Sequence, residues 1–163
     1  MTKEELIILL KTYKENKARL KLKLRDKEKI LRQLENIKNI TLSVTSYENN
    51  SDIHSKNIIS DKVGNKASNN TDKELDLKAQ LIEIEETIKE LTDKLEEVNI
   101  RLEALKYKER EVLTAYYIDG CTYEDIGNLV YYRLFNQTRT ARHIQRLVER
   151  TTDKILGLRL KMS

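Results

Sequence analysis

The chain is predicted to be all-α: a long antiparallel coiled-coil hairpin followed by a C-terminal helix-turn-helix. Three observations predict it. The 163 residues include no Pro, only four Gly and 36% charged side chains, a profile suited to long helices. Nine apolar residues between 77 and 105 repeat with one unbroken 4-3 spacing. A final stretch combines an oily face with a basic one.

The first arm, within residues 1–40, places Leu6, Leu10, Tyr13, Leu20, Leu24, Leu31 and Leu34 on a 4-3 grid that Lys17 and Lys27 interrupt. A lysine in such a seam weakens it but fixes register, and its stem can lie along apolar surface. The second arm, residues 72–106, carries Leu77, Leu81, Ile84, Ile88, Leu91, Leu95, Val98, Leu102 and Leu105. Residues 1–40 hold 12 basic and 6 acidic groups, or +6; residues 72–107 hold 6 and 11, or −5. Two acidic arms side by side would repel, so an intramolecular hairpin of opposite arms is expected. A homodimer through another face stays open.

Residues 41–71, rich in Asn, Ser, Thr and Lys, are expected to be a polar, disordered connector. Val44, Tyr47, Ile53, Ile58, Ile59 and Val63 could form a small patch there, and His54 reads as a solvated loop residue.

Residues 107–163 carry the helix-turn-helix. A helix is predicted from Tyr107 to Ile118, burying Val112, Leu113, Tyr116 and Tyr117. Asp119 and Gly120 end it, glycine being the residue that takes a left-handed cap without strain. Thr122, with Asp125 three residues on, opens a second helix as a capping box. It is expected to be short, to end near Val130 and to turn Ile126 and Leu129 inward. Gly127 inside a helix costs about 1 kcal/mol against Ala, and close approach of the next helix is the natural reason. Cys121 reads as a small buried hydrophobe.

The last helix is predicted from about Thr138 to Leu156, capped by Asn136 or Thr138. With Arg139 at 0°, helical geometry puts Arg142, His143, Arg146 and Arg150 at about 300°, 40°, 340° and 20°. Ala141, Ile144, Val148 and Ile155 fall at about 200°, 140°, 180° and 160°. Glu149 is the single acid between residues 133 and 152, against five arginines. An ordinary solvated face mixes the signs. The expected partner is therefore double-stranded DNA: Arg139, Arg142 and Arg146 can grip guanine edges or phosphates, Thr140 and His143 can touch bases or backbone, and Arg150 backbone. Arg133 and Tyr123 are further candidates for contact with DNA.

Arg110 to Leu113, Gly120 to Ile126 and Arg139 to Ile144 together resemble the helix-turn-helix of sigma-factor region four. They are closer still to phage and prophage transcription regulators of the ArpU/RinA type from Gram-positive hosts. The motif match covers about residues 105–156, and the order of coiled arms, polar middle and C-terminal module is similar along the whole chain. The resemblance implies activation of phage late genes through promoter DNA, with Arg139, Thr140, Arg142 and His143 as recognition residues. It also brings in host RNA polymerase as a partner. One departure stands out. Tyr131 to Gln137 reads as a turn several residues longer than usual, whose Arg133 could touch DNA like a wing.

The expected class is a non-enzymatic regulator, since no constellation of carboxylates, His or nucleophile stands out. With one Cys and two His, no metal or other cofactor is expected. No signal peptide or membrane span is visible, so a cytoplasmic place in a bacterial host is expected. The rival readings are a small terminase-like DNA-packaging subunit, which would assemble as a large ring, and a coiled-coil adaptor with an incidental basic helix.

Overall fold

The computed structural model describes residues 1–45 and 60–158. They are helical, with no strand among the described residues. In chain order come α1 (Lys3–Lys11), α2 (Tyr13–Thr45), α3 (Ser60–Glu103), α4 (Tyr107–Leu113), α5 (Tyr123–Asp125), α6 (Tyr131–Phe135) and α7 (Ala141–Leu156). Wider turns with i→i+5 hydrogen bonding follow α4 (Thr114–Ile118) and join α5 to α6 (Ile126–Val130). Among the described residues, no helix is long and apolar enough to cross a membrane.

Helices α2 and α3 outrun the expected arms, to Thr45 and back to Ser60, so both ends of the polar connector are helical. Val44 and Val63 belong to these helical ends. Tyr47, Ile53, His54, Ile58 and Ile59 lie outside the described residues.

The chain divides into two compact units, Leu20–Glu90 and Met1–Arg19 with Leu91–Ser163. The division differs from the one the periodicity suggests: residues 1–19 and 91–106 belong with the C-terminal module.

Within Leu20–Glu90 the two long helices pack against each other. Lys27 Nζ reaches Glu85 Oε1 at 2.7 Å, and Gln33, Asn36 and Ile37 share a shallow groove with Lys73, Asp76, Leu77 and Gln80. Numbers rise on one helix as they fall on the other, so the pair is antiparallel. All nine expected seam residues of the second arm are buried or half-buried. The first arm corrects the expected grid. Lys17 is exposed and Asn16 is buried instead. From there the inward positions are Leu20, Lys23, Lys27, Ile30, Leu34 and Ile37, while Leu24 and Leu31 are each 45% exposed. The cause is local: the helix is interrupted at Thr12, and two successive steps of three (Tyr13, Asn16, then the four-step to Leu20) shift the heptad phase.

In the other unit one core joins Leu6 and Leu10 of α1, Val98 and Leu102 of α3, Leu105, Val112 and Leu113 of α4, Ile126, Tyr131, and Ile144, Leu147, Val148 and Ile155 of α7. Short helices bury too little surface to hold a core by themselves, so α1 and the end of α3 complete it. Polar ties reinforce the packing. Tyr13 donates to Asn99 Oδ1 at 2.8 Å, Lys3 meets Asp153 at 2.6 Å and Lys14 meets Asp119 at 2.7 Å. Arg101, 5% exposed, pairs with Glu97 and donates to the carbonyls of Ile155 (2.6 Å) and Leu158 (3.4 Å). It satisfies carbonyls that the end of α7 would otherwise leave open.

Candidate nucleic-acid interface

Three local devices set the position of α7. Gly120 (φ 75°) ends the helix that precedes the capped one, with Cys121 N–H donating to the Ala115 carbonyl at 2.9 Å. Cys121 is half-buried against the core, close to its expected role. The Thr122 hydroxyl then accepts from Asp125 N–H, and the Asp125 carboxylate accepts from Thr122 N–H, the expected capping box. Gly127 is the third. A β-carbon there would run into the Arg139 carbonyl oxygen, and Arg139 N–H donates to the Gly127 carbonyl at 3.0 Å. Close approach does account for this glycine, though the chain that approaches is the turn before α7.

The helix begun at Thr122 does not end near Val130. It continues through the wide turn into α6 and stops at Asn136, which takes a left-handed conformation (φ 53°). The supposed long turn is therefore mostly helix, and Arg133 sits exposed on α6 instead of on a wing. The i→i+5 turn also adds a residue to the period. Ile126 and Tyr131 point inward, while Leu129, expected inside, is 66% exposed.

The α7 cap is neither Asn136 nor Thr138. Thr140 holds that place, its hydroxyl accepting from His143 N–H at 3.4 Å, and the helix proper starts at Ala141. Thr140 thus has a backbone partner in place of a free role at a base edge. Arg139 lies before the helix, so its position on the helical wheel does not hold. It is exposed, its guanidinium 5.6 Å from the Tyr131 ring centre and donating to Gln137 Oε1 at 2.9 Å.

On α7 itself the two-sidedness stands. Arg142, His143, Arg146 and Arg150 are exposed, and Ile144, Leu147, Val148, Thr151, Thr152 and Ile155 are buried. The exposed set from Arg142 to Arg150 occupies an arc of about 160°. None of the three arginines pairs with a carboxylate among the described residues. Gln145, which is not among the contacts expected from the sequence, is exposed on the same arc and donates to Glu149 Oε1 at 3.0 Å. Helical spacing alone could have found it, since it sits one turn from both Arg142 and Glu149. A glutamine side chain can pair with both hydrogen-bonding groups of an adenine edge.

Tyr123 is half-buried, its ring stacked on Tyr116 with centroids 4.5 Å apart and planes 10° from parallel. Burial and a hydrogen bond shared with Tyr116 push its phenol above the ordinary range, so the hydroxyl stays protonated. It can donate to a phosphate, but only from the edge of the core. No group of His, Cys, Asp and Glu able to hold a metal ion occurs among the described residues.

Comparison with known proteins finds no match among family models, curated proteins or solved structures.

Proposed function

We propose that this chain is a sequence-specific DNA-binding regulator of transcription, an activator of phage late genes of the ArpU/RinA kind, with α7 lying in the major groove. One observation carries the reading. Arg142, Arg146 and Arg150 project from a helix whose opposite face is buried, and none of them forms an ion pair with a carboxylate among the described residues. Arg139 and Arg133, exposed on the turn and on α6, extend the positive surface beyond α7. Arg142, Gln145 and Arg146 then read base edges, and the outlying cations hold phosphates.

Duplex binding followed by fluorescence anisotropy tests it. Three phosphates neutralised by Arg133, Arg139 and Arg150 give a slope of log K against log salt of about −2.7. Arg142→Ala and Arg146→Ala each weaken binding to the preferred site by about 1–3 kcal/mol. Genomic footprinting supplies that site and the genes beside it. Absence of any salt-sensitive duplex binding, or full affinity in both variants, removes the proposal.

A further inference from the structure

Glu149 is the only acid on the exposed arc of α7 from Arg142 to Arg150. Beside the phosphates of a duplex a carboxylate opposes binding, so its presence there calls for a compensating role. Arg146 stands three residues before it and Arg150 next to it, yet Glu149 forms an ion pair with neither among the described residues. Its carboxylate accepts instead from Gln145 Nε2 at 3.0 Å. The guanidinium groups therefore stay clear for another anion, and the neutral amide is the group that is held.

That bond decides what the amide can offer. A carboxylate only accepts, so the amide cannot turn over without setting oxygen against oxygen. Of its two N–H groups one is taken by Glu149, which leaves one N–H and the carbonyl. In the major groove adenine presents an acceptor, N7, beside a donor, the N6 amino group. Guanine presents two acceptors, cytosine a donor, and thymine an acceptor and a methyl. An unbraced glutamine can aim both N–H groups at guanine, whereas the braced one matches the adenine edge. Gln145 lies in the first half of α7 (Ala141–Leu156), the half that a recognition helix carries into the groove. Glu149 lies a turn further toward the C-terminus.

We infer, resting on the DNA-binding reading, that Glu149 is a positioning residue: it holds the Gln145 amide in the one sense that reads adenine. Gel-shift selection by the full chain from a pool of randomised duplexes, followed by sequencing, tests it. The wild-type chain enriches adenine at one position by about tenfold, and Gln145→Ala abolishes that preference. Glu149→Ala lowers the preference by about threefold, the scale of immobilising one long side chain on binding, without weakening overall affinity. Glu149→Gln keeps it, because an amide carbonyl still accepts from Gln145 although the charge is gone. Both side chains are exposed, so all three variants keep the helical circular dichroism of the wild type. An adenine preference unchanged in Glu149→Ala, or lost equally in Glu149→Gln, overturns the inference. So does a selected site in which no position responds to Gln145→Ala. A cytosine preference that survives Gln145→Ala and vanishes in Glu149→Ala overturns it too, since the carboxylate then reads the base itself. A wild-type chain that enriches no sequence and shows no salt-sensitive binding removes the DNA-binding reading, and the role of Glu149 with it.

Discussion

Gly127 and Thr151 show opposite ways in which one residue can be tuned. The Arg139 carbonyl occupies the space a β-carbon of Gly127 would need, and that carbonyl belongs to backbone. Gly127→Ala is therefore expected to lower stability by about 1–3 kcal/mol in urea unfolding, through overpacking that backbone cannot relieve by changing rotamer. Thr151 is 1% exposed and its hydroxyl has no hydrogen-bond partner among the described residues. Thr151→Val keeps the shape and removes the unsatisfied group, so a gain of about 1 kcal/mol, read as a higher Tm, is expected. The glycine was legible in the sequence, because a glycine inside a helical pattern asks for a close neighbour. The threonine was not, since its burial depends on what packs over it.

Helix α7 owes its start to Thr140. Replacing this cap with alanine is expected to cost about 1 kcal/mol and to speed amide exchange in the first turn, His143 above all. Its far end is tied to α4 by Lys154, 2.6 Å from Glu109. The Lys154 hydrogen bond holds the Glu109 carboxyl below its ordinary pKa, against the smaller opposing effect of burial. A carboxyl depressed in the folded state stabilises above its unfolded pKa, about 4.3, and loses that contribution as pH falls through the folded value. Glu109→Gln should therefore flatten the fall of Tm between about pH 5 and pH 3. Both faces of α7 were readable from periodicity, which depends only on chain geometry. The extent of α6 was not. The i→i+5 turn at Ile126–Val130 changes the period mid-helix, and the apparent turn from Tyr131 onward is helix that buries Tyr131.

At the scale of the molecule, the unexpected finding is where α1 belongs. Leu6 and Leu10 are fully buried in the same core as Ile144 and Ile155. Leu10→Ala is expected to cost about 2–5 kcal/mol in unfolding of the unit that carries α7. Leu24→Ala, on an exposed side chain, should stay within about 0.5 kcal/mol of wild type.

The helical class, the α3 seam and the paired faces of α7 were determined by the sequence alone. Each rests on a repeat of 3.5 or 3.6 residues that the chain carries wherever it folds. Tertiary structure decided the shifted phase of α2, the length of α6, the cap at Thr140 and the division of the chain into units. Those depend on which surfaces meet and which atoms they leave room for, and no local repeat encodes that.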